Sequence, residues 1–297
     1  MIGQESIFLD YKDDQKLHIR RINRGPGGTP ILFMHGSMED GKIFYTKSNK
    51  GLAPFLAKAG YDCFVLDLPG RGLSSPKLSR DSTYGQHDTI NDEIPFFKKA
   101  IKEITGQDRM HWVAHSWGGI TMLSNMVRYG SEDVISLSTF GTKRRITISG
   151  LKKFYMINFG YNGLLVLLTK IFGYLPAKLT GIGAENEPRN TYHEIRHWAR
   201  KNGKWIDQVD GFNYLEAAKT HSFPPGLFIA AANDPVLGHP KDVHLTMMET
   251  VGEAGKYVLL STENGNLNDY GHINMLTHPD CRKDVFPICL DWIEQHH

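Results

Sequence analysis

Ser116 stands in the short sequence AHSWGG, Ala114 to Gly119, between an apolar run and a stretch with helical periodicity. A serine on such a strand-to-helix turn needs small neighbours, because the backbone bends sharply and lifts the hydroxyl above the sheet. Ala114, Gly118 and Gly119 meet this need. The helix start also offers unpaired N–H groups and the positive end of the helix dipole, which stabilise an oxyanion. The pattern predicts that Ser116 is a nucleophile.

A serine needs a base to remove its proton and a third group to orient that base. In sites of this kind the acid and then the histidine follow the serine along the chain, each in a loop after a late strand. Here Asp234 follows the apolar run FIAAA, and His272 ends a polar loop after KYVLL. We predict that His272 is the general base and that Asp234 orients it. The alternative for Asp234 is a turn cap before Pro235.

Four other histidines compete with His272 by residue type. His239 and His244 follow Asp234 too soon, before or on a predicted helix, and His278 comes just after His272 at a helix start. His278 therefore ranks second, and His221 is the remaining competitor.

Two backbone N–H groups are candidates for an oxyanion hole. One belongs to Trp117, the residue after the nucleophile, and the other to the loop after an earlier strand. The apolar run ILFMH ends in such a turn, so Ser37 is the predicted second donor. The alternative for His35 and Gly36 is an ordinary strand-ending turn with a hydrogen-bonded histidine.

The surrounding pattern predicts the elements that position these residues. Two β-rich segments near 6–11 and 16–22 favour an antiparallel edge, and from Pro30 short apolar runs alternate with helical stretches. Continuous apolar strands separated by amphipathic helices are typical of a parallel sheet that is buried on both faces. We predict an α/β fold with a mostly parallel central sheet flanked by helices.

The alternation stops at Thr142 and resumes near Pro224. We predict a core formed by residues 1–142 and 223–297, with a helical cap at 143–222. The most apolar part of the cap is interrupted by asparagine, glycine and lysine residues, so we do not interpret it as a transmembrane helix. Its apolar stripe either lines a substrate pocket or only packs the cap onto the core. The candidates for substrate contact are Phe154, Tyr155, Phe159, Leu164 and Leu168.

Composition excludes some classes of protein. Hydrophobic residues make up 40% and charged residues 22% of the 297 residues, which is ordinary for a globular chain. The net charge is +2, and no basic block alternates with aromatic residues as a nucleic-acid surface would require. Three cysteines at no metal-like spacing favour reduced thiols. Because the N-terminus lacks the pattern of a secretory signal, we expect a cytoplasmic protein. We also expect neither a metal nor an organic cofactor.

With these motifs identified, the chain resembles the α/β-hydrolase superfamily, through HGS at 35–37, DLPGRGLS at 67–74, AHSWGG, AND at 232–234 and GH at 271–272. The resemblance implies that Asp67, Gly70, Arg71 and Gly72 are scaffold residues. It also implies that the predicted cap is a lid, as in esterases and monoglyceride-lipase-like members. A serine at position 116 excludes the branches that use an aspartate nucleophile.

The resulting expectation is an enzyme that cleaves a carboxylic ester of a hydrophobic or lipid-like acyl group through an acyl-enzyme. Thioesterase, amidase, carbon–carbon hydrolase and acyltransferase reactions use the same three residues and stay open. The expected partner is a small hydrophobic ester, with transient contact between the cap and a membrane surface and with no nucleic acid. The sequence leaves the oligomeric state open.

Two hypotheses come from other classes. Residues 193–197 read HEIRH, which fits a zinc signature with two imidazoles one helical turn apart and a glutamate base. Arg200 and Gly203 stand where a metzincin needs Gly and His, whereas Glu216 is a possible third ligand. A zinc protease would leave the serine motifs unexplained. The other hypothesis is a non-catalytic binder of a hydrophobic ligand, which an intact set of three residues argues against.

Overall fold

The computed structural model describes residues 2–12 and 14–296. Eight strands form the central sheet in the order β1-β2-β4-β3-β5-β6-β9-β10. The first two strands pair antiparallel, β2 pairs antiparallel with β4, and the remaining neighbours are parallel. The strands are β1 (Gly3–Asp10), β2 (Lys16–Asn23), β3 (Pro30–Met34), β4 (Asp62–Asp67), β5 (Met110–His115), β6 (Val134–Phe140), β7 (Tyr174–Leu175), β8 (Glu187–Pro188), β9 (Gly226–Ala231) and β10 (Lys256–Leu260). The predicted α/β fold and its antiparallel edge are confirmed.

Helices connect the parallel strands. They are α1 (Leu52–Ala59), α2 (Gln86–Asp88), α3 (Ile94–Thr105), α4 (Trp117–Tyr129), α5 (Leu151–Lys153), α6 (Leu165–Phe172), α7 (Ala177–Thr180), α8 (Arg189–Trp198), α9 (Tyr214–Ala218), α10 (Pro240–Glu249), α11 (Asn274–Thr277), α12 (Cys281–Asp284) and α13 (Phe286–Gln295). Two stretches, Thr89–Glu93 and Phe154–Leu164, are π-helical. Their hydrogen bonds reach the fifth residue along the chain, so their turns are wider than those of an α-helix.

Both faces of the sheet are buried. Successive residues of a strand point to opposite faces, so each apolar strand serves two cores. Side chains such as Leu32 and Trp112 pack on the side of α3 and α4. Phe33 and Val113 pack on the side of α1 and α13. This double burial explains why the central strands are continuous apolar runs rather than alternating ones.

The carboxyl ends of the parallel strands meet at one edge of the sheet. Ser116 follows β5, Gly141 follows β6, Asp234 lies three residues after β9 and His272 lies in the loop after β10. Open α/β sheets bind their ligands at this edge. The topology therefore brings together residues that are far apart in the sequence.

The stretch predicted as a cap, residues 143–222, lies between β6 and β9, and we call it the insertion. It contains α5 to α9, the wide-turned stretch at Phe154–Leu164, and a two-stranded ribbon of β7 and β8 that the sequence did not predict. Its boundaries as a separate domain stay a prediction. In the described residues, no helix combines the length and the apolar character needed to cross a bilayer.

Candidate active site

Ser116 lies on a sharp turn between β5 and α4. Its backbone has φ 51° and ψ −124°, a conformation that L-residues with a side chain rarely adopt. The turn is held from β6, because the Ser116 N–H donates to the Phe140 carbonyl at 2.8 Å. A Cβ added to Gly118 would lie 2.4 Å from the His35 carbonyl oxygen, and one added to Gly119 would lie 2.3 Å from Thr142 Oγ1. The close packing explains the small residues of AHSWGG.

The structure brings Ser116, His272 and Asp234 into one hydrogen-bonded chain. The Ser116 Oγ atom lies 2.9 Å from His272 Nε2, and His272 Nδ1 lies 2.6 Å from Asp234 Oδ2. His278, the second-ranked histidine, instead lies 3.5 Å from the Asp280 carboxylate. Because Nδ1 faces a carboxylate, it carries the proton and Nε2 is free to accept one from the serine.

The surroundings shift the acidities of this chain. Burial lowers the pKa of His272 below its usual value, and the positive charge of His115 adds to this, although Asp234 acts in the opposite direction. Burial alone would raise the pKa of Asp234. The hydrogen bond and charge of His272, with the backbone N–H groups of Gly238 and Val236, nevertheless hold that pKa below its usual value. An unprotonated imidazole beside an ionised carboxylate is the state that a general base needs.

The loop after β3 holds Ser37 beside Ser116. Ser37 and Trp117 both line the cavity that reaches Ser116, and in the described part of the chain neither backbone N–H donates to another group. The next residue, Met38, has a left-handed φ of 59°. Glu187 of β8 supports this conformation, since its Oε2 accepts from Ser37 Oγ at 2.9 Å and from the Met38 N–H at 2.5 Å. The other oxygen of Glu187 accepts from Arg71.

Arg71 and Glu187 form a buried ion pair between the core and the insertion. The resemblance implies that Arg71 is a scaffold residue, and its ion pair with Glu187 is consistent with a structural role. Nothing in the sequence pattern singled out Glu187, because its partners lie more than a hundred residues earlier in the chain. The loop that holds Ser37 therefore depends on a carboxylate from the insertion.

A second histidine and carboxylate pair lies behind the first. His115 Nδ1 lies 2.8 Å from Glu39 Oε2, and His115 Nε2 lies 2.9 Å from the His272 carbonyl oxygen. Both partners are acceptors, and Glu39 Oε2 also accepts from the Gly36 N–H at 2.9 Å, so His115 must carry protons on both nitrogens. Burial would lower the pKa of His115, but Glu39 raises it above the usual value. This pair joins the loops of Ser37, Ser116 and His272, and the sequence did not predict it.

The site opens into a cavity of about 810 Å³. Its walls come from the core and from the insertion, which contributes Ile157, Tyr161 and Ile195 among others. None of the five predicted cap contacts lines this cavity: Phe154, Tyr155, Phe159 and Leu164 are exposed, and Leu168 packs against the cluster around Leu165.

The correction has a physical reason. The five residues were predicted from their apolar character, which does not tell which side of a helical segment faces a cavity and which faces outward. Residues 157–158 and 161–162 line the cavity, whereas Phe154, Tyr155 and Phe159 are exposed. The predicted residues are therefore on the wrong face for this cavity.

The HEIRH motif lies on α8, and its two histidines do not line the cavity of Ser116. Glu194, which would be the general base of a zinc site, is buried, and its Oε2 accepts from the Gln86 N–H at 2.7 Å. His193 and His197 line a second cavity of about 580 Å³ whose walls do not include Ser116 or His272. Glu216 pairs with Lys219 on α9. Within the described residues, this motif does not gather three ligands at one point.

Three possible metal ligands do meet elsewhere in the described part of the chain, namely His87, Asp207 and Asp210. Arg128 already pairs with both carboxylates, and His87 Nδ1 lies 2.9 Å from Asp207 Oδ2. The guanidinium supplies the charge that a cation would otherwise supply. The contacts of this cluster are therefore satisfied by the protein itself.

Comparison with known proteins agrees with this fold. The family model described as alpha/beta hydrolase fold matches residues 29–145. The chain is 28% identical over 115 residues to a 2-hydroxy-6-oxononadienedioate/2-hydroxy-6-oxononatrienedioate hydrolase of Cupriavidus pinatubonensis, a match that covers 38% of this chain and 37% of that protein. It is 32% identical over 121 residues to the dihydrolipoyllysine-residue acetyltransferase component of the acetoin cleaving system of Cupriavidus necator, covering 39% of this chain and 28% of that protein. The matches thus span about a third of each of these curated relatives.

Solved structures match over nearly the whole chain. A membrane phospholipase A described as a bacterial virulence factor has a TM-score of 0.65 at 16% identity, covering 99% of this chain and 86% of that chain. The thioesterase domain from the curacin biosynthetic pathway has a TM-score of 0.61 at 17% identity, covering 97% and 99%. At such identities the likeness concerns the fold. The family model and these structures show that the protein has the α/β-hydrolase fold.

Proposed function

We propose that this protein is a serine hydrolase that cleaves carboxylic esters through an acyl-enzyme. The observation that carries the proposal is the continuous chain from Ser116 Oγ through His272 to Asp234, with contacts of 2.9 and 2.6 Å. A hydroxyl on a strained turn, an imidazole within reach of it and a carboxylate that fixes the imidazole are the parts of nucleophilic acyl transfer.

In the proposed reaction His272 Nε2 takes the proton of Ser116 as Oγ attacks the ester carbonyl carbon. The N–H groups of Ser37 and Trp117 bind the oxygen on which negative charge develops. His272 then gives its proton to the leaving alkoxide, and the carbon–oxygen bond of the ester breaks. In the second half, His272 deprotonates a water that attacks the acyl-enzyme, and Ser116 regains its proton as the acid leaves.

Ester hydrolysis is proposed because the neighbours of known structure include proteins named as esterases. Thioesters, amides, carbon–carbon bonds and transfer to an alcohol require the same three side chains. The curated relatives, a dienedioate hydrolase, an acetyltransferase component and a haloalkane dehalogenase, differ in reaction as well. A panel of aryl esters and acyl-CoA thioesters of increasing chain length separates these reactions, and the best chain length measures the cavity.

The proposal includes the predicted lid and its contact with a lipid surface. The outer side of the insertion exposes Phe154, Phe159 and Leu164 beside Lys152 and Lys153. Apolar side chains next to cations suit the interface of a bilayer with anionic headgroups. Three buried cysteines without disulfide bonds fit the proposed cytoplasmic location.

Labelling with a fluorophosphonate tests the proposal directly. We expect covalent modification of Ser116 and ester turnover in the unmodified protein. The Ser116→Ala variant should lose labelling and about 10⁴ to 10⁶ in kcat, the range seen when such sites lose a member. Ser37→Ala is the matched control for labelling, because it removes a nearby hydroxyl, keeps the backbone N–H and should keep the covalent modification. A Ser116→Ala variant with near-normal turnover would overturn the proposal, and turnover that a chelator abolishes would favour the zinc hypothesis.

A further inference from the structure

One cation of the active-site cavity is not used by the proposed reaction. Lys143 follows β6 by three residues and lines the same cavity as Ser116 and His272. Its neighbours hold the site together, since Thr142 Oγ1 donates to the Ser116 carbonyl at 2.9 Å. A Cβ on Gly141 would lie 3.0 Å from the His272 ring. Lys143 therefore follows directly after residues that contact the reacting groups.

Lys143 is buried but unpaired. Only 8% of the residue is exposed. Among the residues that the structure describes, no acceptor lies within hydrogen-bond or ion-pair distance of its ammonium group. A buried cation without a partner is costly, because it has lost water and gained no counterion. The nearest compensating charges are the carboxylates of Asp242 and Asp234, which act on it only at longer range.

The acidic residues of the cavity wall do not supply the missing partner. Glu39 binds His115, Asp40 binds Lys42 at 2.7 Å, and Glu185 binds Lys178 at 3.3 Å. The cations left without an ion pair on the wall are Lys143, Lys153, Arg196, Arg200 and Lys201. Of these, Lys143 alone is buried among the described residues. The cavity thus has a positive interior and apolar walls of residues such as Ile146 and Ile195.

We propose that Lys143 binds a carboxylate of the substrate, so that the natural ester carries an anionic group besides the bond that is cleaved. This inference rests on the proposed function and narrows its substrate class from a purely apolar ester to an acidic one. The ligand's carboxylate would complete the hydrogen bonds of the ammonium group at a buried position, where a charge pair is stronger than at a surface.

The ammonium group is charged when the ligand arrives at neutral pH. Burial lowers the pKa of Lys143 to about 8, while the charges of Asp242, on α10, and Asp234, after β9, raise it. The preference for an acidic ester should therefore hold below pH 8 and fade above it. The ratio of rates on an acidic and a neutral ester isolates this effect, since ionisation of His272 affects both esters equally.

The test compares two pairs of esters of similar shape. Mono-p-nitrophenyl adipate and p-nitrophenyl hexanoate place the carboxylate or a methyl group at the end of the acyl chain. 4-Hexanoyloxybenzoate and phenyl hexanoate place the carboxylate or a hydrogen on the leaving group. We expect a higher kcat/KM for the acidic member of one pair, which also tells which side of the ester Lys143 contacts. Equal or faster turnover of the neutral member in both pairs would overturn the inference.

Variants then assign the effect to one residue. Lys143→Met should lower kcat/KM for the acidic ester about 30-fold or more, the loss expected when one partner of a buried charge pair is removed, and change the neutral ester by less than about threefold. Lys143→Arg should recover part of the preference. Lys152→Met, an exposed lysine outside the cavity wall, is the matched control. If Lys153→Met removes the preference instead, the anion is bound at the rim and the assignment to Lys143 is wrong.

The inference can fail separately from the proposed function. A fluorophosphonate labels Ser116 without using the anion site, so normal labelling of Lys143→Met shows that the variant is folded and its serine reactive. If Lys143→Met does not fold, Lys143→Gln takes its place in this test. If neither ester pair is hydrolysed, titration calorimetry with adipate still decides the inference. Binding that Lys143→Met loses supports it, and equal or absent binding in both proteins overturns it.

Discussion

The carboxyl edge of the sheet and the outer side of the insertion differ in how their side chains are held. At the sheet edge, the Ser116 backbone bonds to β6, and His272 contacts both Ser116 and Asp234. On the outer side of the insertion, Phe154 is 52% and Phe159 is 66% exposed. Side chains that several elements hold in place keep one conformation, whereas exposed side chains can change conformation when they contact another surface. Under the proposed function, the first region carries out the chemistry and the second makes the surface contact.

Removing the orienting carboxylate tests the first region with the largest expected effect. Asp234→Asn should lower kcat by about 10⁴, because the imidazole loses the partner that fixes its proton on Nδ1. Since the Asp234 charge raises the pKa of His272, the fall of kcat/KM at acid pH should also move to lower pH in the variant. Steady-state kinetics from about pH 4 to 9 measure both changes.

An unchanged kcat in Asp234→Asn would show that another acid orients His272. Asp280→Asn is the matched control, because that carboxylate faces His278 instead. It should leave the kinetics unchanged.

Removing the ion pair that links the sheet edge to the insertion should have an intermediate effect on activity. Glu187→Gln removes the charge that binds Arg71 and loosens the loop of Ser37 and Met38. We expect kcat to fall about 10- to 100-fold with little change in KM, because the oxyanion forms only in the transition state. The uncompensated Arg71 should also lower the free energy of unfolding by about 3 kcal/mol. Kinetics and urea unfolding test the two parts separately.

Glu185→Gln is the control for this prediction, since it removes a nearby carboxylate that binds Lys178 rather than the loop. If both variants lose the same activity, Glu187 has no special relation to the oxyanion. If Glu187→Gln is too unstable to assay, Ser37→Ala removes a single contact to the same carboxylate and should reproduce a smaller part of the loss.

The outer side of the insertion should give the smallest effect on chemistry. Phe159→Ser with Leu164→Ser should leave turnover of a soluble ester within about twofold, because neither side chain lines the cavity. The same variant should bind less to phosphatidylglycerol vesicles in a sedimentation assay, since apolar burial drives interfacial binding. Leu267→Ser, at an exposed leucine outside the insertion, is the control. Equal vesicle binding by all three proteins would exclude the proposed lipid contact.

The sequence predicted the sheet, and it predicted which residues follow the strands at its edge, for a physical reason. Apolar strands and amphipathic helices have fixed periods, and parallel strands bring their carboxyl ends to one edge. The positions of Ser116, Asp234 and His272 follow from which residues come next after the strands. These positions therefore follow from the regular alternation of strands and helices.

The sequence did not identify several residues because their contacts do not follow a periodic pattern along the chain. Glu39, His115 and Glu187 are polar residues whose importance comes from partners that only folding brings near. Lys143 is one lysine among many until burial and the missing partner distinguish it. The apolar residues of Phe154–Leu164 were misassigned because apolar character alone does not tell which side of the segment faces the cavity. The HEIRH match on α8 shows the reverse case, a local pattern without a third ligand nearby among the described residues.

The ion pair of Arg71 with Glu187 has a consequence for engineering. Chimeras that exchange the stretch between β6 and β9 with that of another protein of this fold would leave an unpaired guanidinium in the interior unless the donor segment brings a carboxylate to the same place. Grafts for new selectivity should therefore be chosen by this one acidic position before length or apolar content is considered.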